Sequence, residues 1–203
     1  MRWGNGEWPT YAERHWTNRC WFSTLEPMKL AGLRLRQHDG VTCGPSVAVM
    51  AGALLDPHRR AALAEPDSGP LLFAAEQLRV HAEVNRIWPR RLGTTPWAMA
   101  RALTAQGSTA GVCYRWRLFR GRRDGLADVV AAAGADRPVA MLVGRFIPRH
   151  WVLVVDAAGD RLTCYEPSSG EVRTADVAAV REARLTGLGY PRPFAFVVPG
   201  SNV

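Results

Sequence analysis

Four residues of this chain have the types and the order that thiol chemistry needs: Gln37, Cys43, His150 and Glu166. Cys43 stands in Val41-Thr42-Cys43-Gly44-Pro45-Ser46, directly ahead of an apolar run from Val47 to Leu55. Pro45 suits the first turn of a helix. The Cys43 thiol is therefore expected beside the unpaired N–H groups and the positive end of that helix. Such a placement lowers a thiol pKa and supplies a thiolate nucleophile near neutral pH. Gly44 leaves no side chain next to the sulfur. Gln37, on the incoming loop, offers an amide donor to a developing oxyanion, together with the Cys43 backbone N–H. Cys20, Cys113 and Cys164 are scattered and form no Cys-x-x-Cys pair. They read as small buried hydrophobes, with no disulfide framework and no zinc site implied. No metal or cofactor is expected.

A cysteine nucleophile needs a base, and the base needs an orienter. His150 opens a β-prone run, Trp151-Val152-Leu153-Val154-Val155, and the next strand ends at Glu166-Pro167. With Ala157-Ala158-Gly159 as a three-residue hairpin loop, Asp156 pairs with Asp160 and His150 falls directly opposite Glu166. Directly opposed residues have Cβ atoms about 4.5–5.5 Å apart, within reach of a carboxylate–imidazole hydrogen bond. A two-residue loop would place Glu166 opposite Trp151 and break the pairing, so everything hangs on register. Asp156 shares the face parity of His150 but lies about 20 Å along the strand. It is rejected as the orienter.

The elements that must hold these residues fall into two groups. A buried central helix follows Cys43 and ends at Asp56-Pro57. Pro70–Trp88 reads as an amphipathic helix with Leu71, Leu72, Ala75, Leu78 and Val84 as its apolar stripe. Thr95-Pro96 caps another helix, running through Trp97, Met99 and Leu103 to Gly107. Cys113–Phe119 alternates as a strand, Arg120–Gly125 is a basic turn, and Leu126–Ala133 is a short helix. Strands are then expected at Pro138–Gly144, His150–Asp156, Arg161–Glu166 and Phe194–Val198, with a helical turn at Asp176–Glu182. Helices come first and an antiparallel sheet second, which is an α+β class with two lobes. Cys164, in the hairpin strand, is expected to face Val152 and to pack without a catalytic role.

At these residues the chain resembles the papain-like cysteine peptidases, closest to the bacterial C39-like (bacteriocin-processing peptidase-like) branch. The matching pieces are Gln37-x5-Cys43-Gly44-Pro45, His150-Trp151-Val152-Leu153-Val154-Val155 and Tyr165-Glu166-Pro167-Ser168-Ser169-Gly170. The likeness runs from about Leu33 to Val198. It implies a two-lobe fold with the nucleophile on a central helix and His and acid on the sheet. Cys43 would be nucleophile, His150 general base and acid, Glu166 orienter and Gln37 oxyanion donor. Two departures stand out. The papain-type Cys-Gly-Ser-Cys-Trp signature is absent, and Glu replaces the Asp of the C39-like pattern, adding one methylene of reach. The resemblance implies a thiol hydrolase acting on a peptide or amide through a thioester. The same residues would serve an acyltransferase, and a non-catalytic binding module is the third reading.

Composition narrows the partners. The 203 residues are 47% hydrophobic and 22% charged, a globular balance. The net charge is +8, which ordinarily raises nucleic acid as a partner. All but one of the 26 basic residues are arginine, Lys29 being the exception. That is a compositional bias, so nucleic acid is not expected as a partner. Arg115, Arg117, Arg120, Arg122 and Arg123 form a local cluster, read first as a solvated surface. No run is long enough to span a membrane, and the N-terminus lacks the apolar stretch of a secretory signal. A cytoplasmic location and no membrane contact are expected. Residues 1–32 hold half of the eight tryptophans and read as an extension. Its aromatics are expected to pack on the catalytic domain of residues 33–203, or to meet a protein partner.

Overall fold

A computed structural model of the chain describes residues 35–84 and 93–200. The Trp-rich extension and the expected helix end at 85–88 lie outside the described residues.

The first helix, α1 (Cys43–Leu55), is buried from Cys43 to Ala53. A helix apolar on all sides has to be central, and α1 packs against three other helices and a strand. It stops where Asp56 turns extended. Asp56 then caps α2 (Pro57–Ala64), accepting from the His58 and Arg59 amides. The Asp56-Pro57 pair, read from sequence as a stop alone, is a stop followed by a start: Pro57 has no N–H to lose at a helix's first position.

Helix α3 (Gly69–Val84) forms where a helix was expected, but another face is buried. Leu71, Leu72 and Leu78 are exposed, and Phe73, Gln77, Val80 and His81 are inside. Buried Gln77 explains the rotation. Its Oε1 accepts from the Ser46 hydroxyl at 2.6 Å and from the His38 amide at 2.9 Å. Its Nε2 donates to the Arg36 carbonyl at 3.3 Å. A hydrogen-bonded polar residue thus occupies a core position that a hydrophobic pattern cannot reveal. Helix α4 (Pro96–Gln106) follows the reading: Thr95 accepts from the Ala98 amide, and Met99 and Leu103 are fully buried.

The remaining chain is a six-stranded antiparallel sheet with a few short helices. The strands are β1 (Tyr114–Leu118), β2 (Val139–Gly144), β3 (Pro148–Ala158), β4 (Arg161–Glu166), β5 (Glu171–Asp176) and β6 (Arg192–Pro199), in the order β1-β6-β2-β3-β4-β5. The helices α5 (Ala127–Gly134) and α6 (Val177–Arg181) accompany them. Val129 and Ala133 of α5 and Val180 of α6 join a core with Met141, Val152, Val154, Cys164 and Phe196. On the alternate positions of β3, Trp151 and Leu153 are equally buried. The fold is α+β.

Two local readings need correction. In β1 the apolar residues Trp116 and Leu118 are exposed. Arg117 is the inward partner, making 2.6 Å ion pairs with Asp124 and Asp128 and lying over the Phe196 ring. One member of the arginine cluster is therefore a structural strut. The β3–β4 register also differs. Ala158 pairs with Arg161, so the loop is Gly159-Asp160, with Gly159 at φ +58°. The pairing then slips by one, because Val154 faces Cys164 whereas Asp156 faces Thr163. Val155 is thus an extra, bulged residue. Beyond it Leu153 faces Tyr165, which sets Glu166 beside Val152. Cys164 faces Val154, two residues along β3 from the expected Val152. A second bulge lies at the other end of β3: Gly144 pairs with Pro148 and Val143 with His150, leaving Arg149 unpaired.

Candidate active site

Cys43 is the first residue of α1, one position deeper into the helix than expected. Thr42 makes no side-chain cap there, and the first turn carries no acidic residue. The carboxylate next to this positive helix end is Asp39, which accepts from the Val41 amide just ahead of the first turn. Gly44 presses against Thr94, whose carbonyl accepts from the indole of buried Trp151 at 2.8 Å. A Cβ at Gly44 would lie 2.4 Å from Thr94 Oγ1 and 2.7 Å from Thr94 Cβ. Threonine is too short and branched to swing aside. Gly44→Ala is accordingly expected to cost about 1–3 kcal/mol in urea unfolding. An unchanged midpoint would show that this contact is loose.

His150 is buried, and its Nε2 lies 2.8 Å from Glu166 Oε1. Cys43 lies near enough to His150 to influence its protonation, and Nδ1 is the ring nitrogen that the Glu166 contact leaves unused. Glu166 therefore orients His150 even though it does not stand opposite it. With Glu166 beside Val152, the two residues are diagonal neighbours on one face. Such neighbours are about 7–8 Å apart at Cα, still within reach of long side chains. The Ser168 and Ser169 amides donate to the two oxygens of Glu166 at 2.8 and 2.9 Å. Burial alone would raise the Glu166 pKa. The His150 hydrogen bond and the serine amides outweigh it and hold the carboxyl well below its ordinary value. Burial works against the His150 imidazolium too, but the Cys43 and Glu166 hydrogen bonds and charges raise its pKa to about 9.

The sign of these shifts sets a pH dependence. The folded His150 holds its proton more tightly than an unfolded histidine of pKa 6.5. Its contribution to stability is fully present below pH 6.5 and is lost as pH rises through about 9. Glu166 has the opposite sign: its contribution is present above 4.5 and is lost as pH falls. In thermal unfolding, the gap between wild type and His150→Gln should narrow from pH 6.5 to 9. A gap constant across that window would contradict the assignment.

Gln37 is brought to the acid turn. Its backbone N–H donates to the Pro167 carbonyl at 2.8 Å, and its Oε1 accepts from the Ser168 hydroxyl at 3.4 Å. Its Nε2 donates one hydrogen to the Asp39 carbonyl at 2.6 Å, which leaves the second free of that bond. The neighbouring backbone is fixed as well: Arg36 Nε donates to the Ser169 carbonyl, and the Tyr165 hydroxyl to the Leu35 carbonyl. Gln77 holds the same loop from the helical side. Sequence reading missed Gln77 and Tyr165 as supports, and only the contacts across the fold reveal them.

No protein-family model matches the sequence, and no curated protein does. The site therefore has to be read from its own geometry. Cys164 is fully buried, and burial pushes its thiol up to about 12, whereas Cys113 is exposed. No group of three or more His, Cys, Asp or Glu placed to hold a metal occurs among the described residues. Among them, no helix is long and apolar enough to cross a membrane. A cleft of about 450 Å³ opens beside Cys43, between the loop after Gly40, the Gly93–Pro96 segment and the β2–β3 hairpin.

Proposed function

We propose that the chain is a thiol hydrolase of papain-like, C39-like type, acting on a peptide or amide bond. The observation that carries this reading is the buried 2.8 Å His150–Glu166 contact near Cys43, which itself stands at a helix N-terminus beside a cleft. The Cys43 sulfur attacks the carbonyl carbon, forming an S–C bond and an oxyanion. The Cys43 backbone N–H and the second Nε2 hydrogen of Gln37 stabilise that oxyanion. The C–N bond breaks, and His150 passes its proton to the leaving amine. His150 then takes a proton from water, whose oxygen attacks the thioester. The acid product leaves, and the sulfur is regenerated. Glu166 stays anionic throughout and fixes the ring's orientation.

Iodoacetamide labelling at pH 7, read by mass spectrometry, tests the nucleophile. Cys43 should alkylate at least about tenfold faster than exposed Cys113, and Cys164 should be the slowest of the three. If Cys43 reacts no faster than Cys113, the reading fails.

A further inference from the structure

The cleft beside Cys43 is not neutral in its chemistry. Among the described residues its wall is mostly apolar, with Val41, Pro96, Leu142, Ile147 and Trp151, and the one charged residue that lines it is Arg149. The residue before Gly40, Asp39, ties its carboxylate to the Val41 amide. The Arg149 guanidinium makes no ion pair or hydrogen bond among the described residues. This contrasts with a second cleft among the described residues, of about 490 Å³, between the helices. There Arg59 is paired with Asp56 and Gln106, and Arg79 with Glu76 and Glu83.

Arg149 is aimed by a built feature. It is the extra residue of the β2–β3 bulge, directly before His150. Bulges re-aim side chains and are enriched beside active sites. The hairpin tip is tightly made: a Cβ on Gly144 would meet the Ile147 carbonyl oxygen at 2.0 Å, so only glycine fits. The same tip exposes Phe146 by 79% and Ile147 by 55%. Ile147 and Arg149, a cation with no partner among the described residues, thus line the cleft, and Phe146 stands beside them on the tip with the Arg145 guanidinium over its ring. Like charge in the substrate would be repelled there, and a polar neutral group would gain little.

We infer, resting on the thiol-hydrolase reading, that the cleft selects a substrate bearing a carboxylate next to an apolar side chain, with Arg149 as the carboxylate's receptor. A guanidinium binds a carboxylate through paired, charge-assisted hydrogen bonds. Ile147 and the cleft wall take the apolar group. The carboxylate is either a chain terminus or an acidic side chain.

Alkylation of Cys43 tests this without requiring turnover. The sulfur displaces iodide from an iodoacetyl group, so an S–C bond replaces C–I and iodide leaves. The probes are iodoacetamide, N-iodoacetyl-phenylalanine, its carboxamide, and N-iodoacetyl-glutamyl-phenylalaninamide. The full-length protein should react with N-iodoacetyl-phenylalanine about tenfold faster than with the carboxamide, as expected for a charge-assisted contact. Arg149→Gln should bring that ratio close to one. Ile147→Ser should slow both phenylalanine probes relative to iodoacetamide. A fast glutamyl probe assigns the carboxylate to a side chain, and a slow one assigns it to a terminus. If neither carboxylate probe outpaces the carboxamide in the wild type, or if the preference survives Arg149→Gln, this inference is overturned while the thiol-hydrolase reading stands. Cys43 reacting no faster than Cys113 with iodoacetamide itself overturns that reading instead.

Discussion

Cys43→Ala is expected to reduce hydrolysis of a peptide thioester or p-nitroanilide at least about 10⁴-fold, as loss of a nucleophile does in other hydrolases. The residual groups would still bind substrate and polarise its carbonyl, but no covalent intermediate could form. The same variant should move a second observable. The Cys43 hydrogen bond and charge help to raise the His150 pKa to about 9. Without them, the imidazole should lose its proton at lower pH, visible in an NMR titration. A lowered His150 titration with unchanged turnover would mean that the contact exists and the chemistry lies elsewhere. Unchanged biological activity of the Cys43→Ala variant, with no turnover in either protein, would favour the binding-module reading.

The second large effect concerns Glu166. Glu166→Gln keeps the shape of the side chain but replaces an anionic acceptor by an amide. Turnover should fall by about 10²–10⁴-fold, the range seen when the orienter of a catalytic histidine is neutralised. The His150 pKa should fall as well, since Glu166 is the other group that raises it. Glu166→Asp is the more telling variant. If the acid stood directly opposite His150, the shorter side chain would reach. Glu166 instead lies beside Val152, diagonal to His150. The loss of one methylene should then break the 2.8 Å contact and cost about tenfold or more in turnover, with the buried carboxylate left short of a partner. Undiminished activity in Glu166→Asp would show that backbone adjustment closes the gap.

Much of this site is legible in the residues. Cys43 before an all-apolar helix, Thr95-Pro96 as a cap and the β-branched run after His150 each carry a local physical signal. That signal survives folding because burial and capping reinforce it. What stayed hidden depends on long-range contacts. The α3 face is set by Gln77, which meets Ser46 and His38 from distant parts of the chain. Strand β5, Glu171–Asp176, is a polar edge strand, exposed or half-buried along its length. It has no apolar alternation to betray it. Arg117 turns inward only because Asp124 and Asp128 await it. The His150–Glu166 pair was anticipated through an incorrect register, and its survival needs its own explanation.

That explanation is the extra residue at Val155. Side chains along a strand alternate faces, so a hairpin behaves like a message read in frames of two. The Gly159-Asp160 loop alone would set Glu166 in the frame opposed to His150, and Val155 is the single insertion that restores it. Changes in hairpin length are therefore not equivalent. The loop can grow or shrink outside the paired residues at little cost. A deletion within β3 between His150 and Asp156 must come in twos, or acid and base end on opposite sides of the sheet. Descendants of this chain, natural or engineered, are free to vary the tip and bound by parity along the strand.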